Sequence, residues 1–280
     1  MPSVIIPAYN EESVIQRTIR SVLGDTGPDV EVIVVANGCQ DRTAEMARAC
    51  GDRVQVIETD VPGKCNAINL GESIASTFPR AYLDGDVLLS AGALPLLFNA
   101  IEGDIHVASA SATWDTRSCT MPARLAYRIS MKGDFHFGLN APNGSGTYVL
   151  SEKGRSRWKD FPEILNDDGF VGLHFQPHES MVVKEAEVTV FPPRSISALI
   201  PARTRSRRGR HQLQQDYPDL CRNMAQTQTV RLASMAALRP WLWPSAICYG
   251  YVKILERISA RRMDRPHDPH SWGHDRSTRK

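Results

Sequence analysis

No stretch of about twenty apolar residues occurs anywhere in the chain, which excludes a membrane-spanning helix. The six cysteines (Cys39, Cys50, Cys65, Cys119, Cys221, Cys248) are scattered and include no Cys-x-x-Cys pair. No disulfide framework is expected from them, and free thiols in a reducing compartment are. Charge is nearly balanced at +2, so the molecule as a whole is not built for polyanions. A basic leader is missing from the start, where Ser3-Val4-Ile5-Ile6 already reads as a strand. Together these absences predict a cytoplasmic protein. Two phosphate-binding loops are missing as well. No Gly-x-Gly-x-x-Gly follows the first strand, and Gly63-Lys64 lacks the earlier glycine and the following hydroxyl of a Walker loop.

What remains is a chain of 280 residues, 42% hydrophobic and 23% charged, enough for one large or two small globular domains. Its first third alternates strand and helix signals. Ser3–Ile6 is a β-branched run ending at Pro7, and Asn10 is placed to cap a helix with Glu11 and Glu12 in its first turn. Val14, Ile15, Ile19, Val22 and Leu23 recur at helical spacing before Gly24. Val30–Ala36 is continuously apolar, as in strands covered on both faces. A helix from Asp41 to Ala49, a strand at Val54–Ile57, a helix at Lys64–Ser76 and a strand at Arg80–Leu83 follow. This alternation predicts a mostly parallel, Rossmann-like α/β sheet flanked by helices.

Ligands of such sheets gather beyond the carboxyl ends of the strands. Those ends carry Ala8-Tyr9-Asn10-Glu11, Asn37-Gly38 and Asp84-Gly85-Asp86. Asp-Gly-Asp by itself is also a common turn. Two carboxylates one residue apart can equally hold a hard divalent cation such as Mg²⁺ or Mn²⁺. Convergence of three polar clusters on one edge favours the second reading.

Further along, Gly144 and Ser145 lie in the small-residue loop Asn143–Gly146, either a tight turn or a place where backbone amides approach a ligand. A strand at Ile105–Ala112, a helix at Pro122–Met131 and strands at Thr147–Leu150 and Met181–Phe191 complete the pattern. Asn166-Asp167-Asp168-Gly169 can be helix-capping acids before a helix reaching His174, or a general base with an acidic neighbour that raises its proton affinity. Arg203, Arg205, Arg207, Arg208 and Arg210 form a basic segment without interleaved aromatics, so nucleic acid is not an expected partner. Residues 241–262 combine Trp241, Trp243 and Tyr251 with basic flanks, which suits an interfacial helix on the inner membrane face or core packing. The final His267, His270 and His274 lie in a polar tail.

Val4-Ile5-Ile6-Pro7-Ala8-Tyr9-Asn10-Glu11-Glu12 resembles the opening strand of the family 2 glycosyltransferases, which have the GT-A fold. Val35–Thr43 resembles their second motif, Gly63-Lys64-x-x-Ala67-Ile68-Asn69-x-Gly71 their third, and Asp84-Gly85-Asp86 their metal motif. Many members carry an acid near Asn37, and this chain departs there. The resemblance implies an inverting transfer of a hexosyl or N-acetylhexosaminyl group from a nucleotide-diphosphate sugar, UDP favoured, to a glycan, lipid-linked or small-molecule acceptor. By the same resemblance, Ala8 and Glu11 line the base and ribose pocket, with Tyr9 beside it. Asn37 meets the pyrimidine edge and Lys64 sits near the nucleotide. Asp84 approaches ribose and diphosphate, with Gly85 between it and Asp86, which ligates Mn²⁺ or Mg²⁺. Asp168 is the base and Asp167 its acidic neighbour. The family's Gln-x-x-Arg-Trp-type segment is not matched, since Arg203–Gly209 has no Trp, and Arg205 with Arg208, three apart and on one face if helical, are the expected guanidinium pair for phosphate. The expected organisation is a nucleotide-sugar subdomain over residues 1–100, an acceptor subdomain over 101–200, and a basic loop with C-terminal helices over 201–280. A nucleotidyltransferase on a similar sheet is the competing enzyme class, and a non-catalytic nucleotide or glycan binder the competing non-enzyme.

Overall fold

A computed structural model describes residues 2–130, 142, 144–223 and 240–262. Contacts divide the chain into two units, Met1–Thr113 with Asn140–Val190, and Trp114–Leu139 with Phe191–Lys280.

In the first unit the continuous apolar run of β2 (Glu31–Asn37) follows from cover on both faces. Val32 and Val34 face the helix α1 (Ile15–Asp25), with Ile15, Ile19 and Val22 in the same cluster. Ile33 and Val35 point to the other face and pack on Ala67 of α3 (Lys64–Ile74). Side chains alternate across a strand, so two helices can bury every residue of it. β1 (Ser3–Ala8) lies parallel to β2 and to β4 (Arg80–Leu83), and β2 pairs with β3 (Val54–Thr59) on its other edge. The short helix α2 (Thr43–Arg48) joins β2 to β3. Full burial of each such aliphatic side chain contributes about 1.5–3 kcal/mol.

The remaining elements are β5 (Leu88–Leu89), α4 (Ala93–Asn99), β6 (Val107–Trp114), β7 (Thr147–Leu150), α6 (Glu152–Arg155), α7 (Asp167–Gly172) and β8 (Ser180–Val190). The eight strands run in the order β3-β2-β1-β4-β7-β6-β8-β5. The sheet is parallel from β3 to β4. Beyond β4 the β4–β7, β6–β7 and β5–β8 pairings are antiparallel, so the sheet is mixed overall.

Gly71 marks the closest approach of α3 to the sheet. A Cβ there would stand 2.6 Å from Cγ2 of Ile5, a branched methyl held near its own backbone. Gly71→Ala should therefore cost about 1–3 kcal/mol by overpacking. Urea unfolding monitored by circular dichroism measures this, and an unchanged midpoint would refute the close contact.

Several sequence-based boundaries differ: α2 spans Thr43–Arg48 rather than Asp41–Ala49, and two differences concern α1. Asn10 does not cap α1, because Val14 precedes the helix and Asn10 is left-handed with φ of 53°. Its side chain instead accepts the Gln40 N–H, at 2.8 Å. Helix α1 also runs one residue past Gly24, to Asp25.

The second unit contains α5 (Met121–Ser130), the long α8 (Ile196–Asp216) and α9 (Trp243–Arg262). Tyr127, Ala123, Leu199 and Val252 form its core cluster. Arg203 is buried and donates to Ser130 Oγ at 2.7 Å, whereas Arg205 is exposed and Arg208 half-buried. Among the described residues no helix is long and apolar enough to cross a membrane. Met131, Asn143 and the tail histidines lie outside the described residues.

Candidate active site

The four motifs of the first unit meet at the carboxyl ends of β1, β2 and β4. The nearest neighbours of a Cβ added at Gly85 would be Cγ of Glu11, Cβ of Ala8 and Cδ1 of Ile15, at 3.4–3.5 Å. The Asp84-Gly85-Asp86 turn is held from two sides. Thr18 Oγ1 on α1 donates to the carbonyls of Gly85 (2.9 Å) and Val87 (2.8 Å). The Asp84 N–H donates to the Gly146 carbonyl at 2.8 Å. Gly146 has φ of +71°, and a Cβ there would lie 2.7 Å from Asp84 Oδ2, so both its backbone and the carboxylate exclude a side chain.

Lys64, the first residue of α3, connects the two acidic motifs. Its Nζ lies 2.7 Å from Asp84 Oδ1 and 2.8 Å from Asp167 Oδ2. Burial disfavours the ammonium, but Asp167, Asp84 and Asp168 together raise its pKa well above the ordinary value. Helix α7 presents Asp167 and Asp168 in its first turn. Their sequence-based role as caps belongs instead to Asn166, whose side chain accepts the Gly169 N–H at 3.2 Å. With Asn166 holding the helix end, both carboxylates remain available to the site. Burial, and then the adjacent Asp167, push the Asp168 pKa up to about 8, with Lys64 pulling the other way. Asp84 is also raised, through burial and its acidic neighbours Asp167 and Asp86, against the pull of Lys64.

The third motif fastens the segment before α7 to helix α3. Asn69 donates through Nδ2 to the Phe161 carbonyl (2.9 Å) and accepts the Phe161 N–H through Oδ1 (2.8 Å). The Cys65 thiol donates to the Ile164 carbonyl at 3.6 Å. Beneath the rim, Tyr82 and Tyr148 stack with ring centroids 4.8 Å apart, and the Tyr82 hydroxyl donates to Glu72. Glu72 also pairs with Arg80 (2.9 Å) and Arg155 (2.8 Å).

Several motif residues act as internal struts. Asn37 is fully buried, donating to the Ala8 carbonyl (2.8 Å) and accepting the Gly63 N–H (3.0 Å). The pyrimidine contact implied by the resemblance needs an outward-facing amide, and this one joins β1, β2 and the start of α3 instead. Thr43 Oγ1 accepts the Glu11 N–H at 2.6 Å, and Asp41 Oδ2 accepts the Glu12 N–H at 3.1 Å. Ala8 and Glu11 are themselves buried at the rim, with Tyr9 half-buried beside them. Ser145 is buried, its hydroxyl donating to the Thr147 carbonyl at 3.2 Å, while Gly144 is exposed. Arg205 and Arg208 belong to the second unit.

Sequence reasoning passed over Arg17 and Thr18, and quoted Asn69 in the third motif without giving it a role. The Arg17 guanidinium donates to the Asp86 carbonyl at 3.1 Å and is flanked by the Asp86 and Glu11 carboxylates, whose attraction opposes the effect of burial on its pKa. Thr18 did leave a signal, being a hydroxyl within the apolar stripe Val14-Ile15-Ile19-Val22. Arg17 left none, since it sits on the polar face of an amphipathic helix.

This fold has known counterparts. The mannosyltransferase PcManGT from Pyrobaculum calidifontis, solved with GDP-Man and Mn²⁺, matches with a TM-score of 0.59 at 18% identity, over 99% of this chain and 84% of that one. TarS 1–349 of S. aureus, solved with UDP-GlcNAc, matches with a TM-score of 0.50 at 14% identity, over 68% of this chain and 58% of that one. At such identities the likeness establishes the fold, which is of the GT-A type.

The model of glycosyl transferase family 2 matches residues 3–179, and the chain belongs to that family. Glycosyltransferase AglE of Haloferax volcanii is 42% identical over 90 residues, 30% of each chain. The 4,4'-diaponeurosporenoate glycosyltransferase of Staphylococcus aureus is 36% identical over 102 residues, 35% of this chain and 27% of that protein. The matches thus span less than a third of the length of these curated relatives.

Proposed function

We propose that the chain transfers a sugar from a nucleotide-diphosphate donor to an acceptor hydroxyl, with inversion at the anomeric carbon. One observation carries this reading: Lys64 links Asp84 of the metal motif to Asp167, next to Asp168. Carboxylates from two distant motifs sharing one lysine support a donor side and an acceptor side acting at one rim, as displacement at a single carbon requires. The solved neighbours hold GDP-Man and UDP-GlcNAc, which supports a nucleotide-sugar donor. A UDP-linked hexose or N-acetylhexosamine is the donor proposed, with a glycan, a lipid-linked sugar or a small molecule as acceptor.

Asp168 accepts the proton of the attacking hydroxyl on its carboxylate. Its high proton affinity suits that task, because a base near neutrality is both free and strong enough. Lys64 holds the adjacent Asp167, and Asn69 fixes the Phe161 backbone in the segment leading to Asp167 and Asp168. A single base on the side away from the leaving group predicts inversion. Asp86 would hold a divalent cation, Mn²⁺ or Mg²⁺, which neutralises charge on the departing diphosphate when bound. Asp86 is half-buried at the rim, so its carboxylate can reach a cation there. Cations of this kind are commonly held by one or two carboxylates together with substrate phosphates.

Thermal shift with UDP, GDP and dTDP, each with and without Mn²⁺, tests the donor side. The matching nucleotide at a hundred times its Kd should add about 2.7 kcal/mol of stability, only when Mn²⁺ is present. Asp86→Ala should remove both that stabilisation and turnover. Stabilisation that ignores the metal, or that survives Asp86→Ala, would contradict the assignment.

A further inference from the structure

The helix α9 closes the core of the second unit through Val252, yet it is apolar on its outer side as well. Its inner side carries Ser245, Val252 and Glu256, all buried, and Glu256 receives Lys253 (3.2 Å) and Arg207 (3.6 Å). Its solvent side carries Ile247, Tyr251, Ile254 and Ile258, of which Ile247 is 71% exposed, and Trp243 continues the stripe toward the N-terminus. Spacings of three and four put these residues on one helical face. At about 1.5 Å per residue the stripe from Trp243 to Ile258 is roughly 22 Å long. Just before it, Trp241 is 64% exposed.

We propose that this face of α9 lies in the headgroup region of an anionic lipid surface. The charge pattern selects that occupant. The one carboxylate of α9, Glu256, is buried, so the charge the helix shows to solvent is basic, with exposed Arg257 set between Ile254 and Ile258. The neighbouring α8 adds exposed Arg205 and half-buried Arg208 and Arg210 against a single carboxylate, Asp216, while Arg203 is buried and Arg207 reaches Glu256. Pairing two copies of the stripe would bring like charges together, whereas anionic headgroups compensate them. Exposed tryptophans have an apolar ring with a polar N–H, which favours the boundary between acyl chains and water. The helix binds along the surface, since no described helix is apolar enough to cross a bilayer.

Flotation of the full chain with phosphatidylcholine vesicles, with and without phosphatidylglycerol, tests the proposal. Binding should require phosphatidylglycerol and weaken in high salt, because each basic residue near an anionic surface contributes about 1 kcal/mol, roughly fivefold in partitioning. The double variant Ile247→Asp, Ile254→Asp should lower partitioning by roughly a hundredfold, since it removes two inserted aliphatic chains and adds two anions. Both positions face solvent, so the variant should keep the circular dichroism melt of the parent. Equal binding to neutral vesicles, or binding unaltered in the double variant, would overturn the proposal. So would a concentration-dependent dimer, seen by light scattering, that the same two substitutions dissolve.

Discussion

Asp168→Asn should lower turnover by about 10²–10⁴-fold, the usual contribution of a positioned general base, while leaving donor affinity in place. The amide keeps the size of the side chain but cannot accept the proton of the acceptor hydroxyl. The parent enzyme should show a kcat/KM that rises with pH and levels off near the Asp168 pKa of about 8. The variant should lack that limb. Stability should move the other way. The folded-state pKa of Asp168 lies above its ordinary 3.8, so between 3.8 and about 8 the native state holds a proton that the unfolded chain releases. That contribution is full at low pH and is lost as pH climbs toward 8, at up to about 1.4 kcal/mol per unit. Asp168→Asn removes the loss, so the variant should be more stable than the parent at pH 8 and comparable at pH 4. Wild-type turnover in the variant would remove Asp168 from its role, and Asp167→Asn would then be the variant to assay.

Lys64→Met should have the largest effect on folding. It leaves Asp84, Asp167 and Asp168 around an apolar side chain. Losing one partner of a fully buried pair costs about 3–5 kcal/mol, and here about 2–4 kcal/mol is expected because the Asp84 side chain is 35% exposed. The penalty should shrink at pH 5, where orphaned carboxylates with raised pKa values take up protons instead. Urea denaturation at pH 5 and pH 8 measures both figures. A variant as stable as the parent at pH 8 would show that the Lys64 bridge is not what holds the two motifs together.

The contrast between Asn37 and Lys64 shows how far the residues could be read in advance. Both lie in motifs that pointed to a nucleotide. Lys64 was expected near that ligand, and it stands beside Asp84, but its second partner, Asp167, is more than a hundred residues away in the chain. No local spacing encodes that contact. Asn37 was expected to face a base, yet its amide is buried between two backbone segments. An amide at a strand end suits either task, and only the packing of Ala8 and Gly63 around it decides between them. The paired acids of α7 behave similarly. Adjacency was expected to raise the proton affinity of a base, and at Asp168 burial is the larger cause with Asp167 second, whereas the capping role went to Asn166 because its side chain reaches the Gly169 N–H.

Short-range pattern alone determined that β1, β2 and β4 alternate with α1, α2 and α3, because a run buried on both faces and a helix with one apolar stripe are local properties. It also determined that the acid-rich segments fall at strand ends, since chain order places them there. Tertiary structure decided which polar groups face a ligand and which brace a neighbouring loop, how the sheet turns antiparallel beyond β4, and that the apolar side of α9 faces outward. Those outcomes depend on contacts between residues far apart in sequence, where the cost of leaving a buried charge or amide without a partner selects one arrangement.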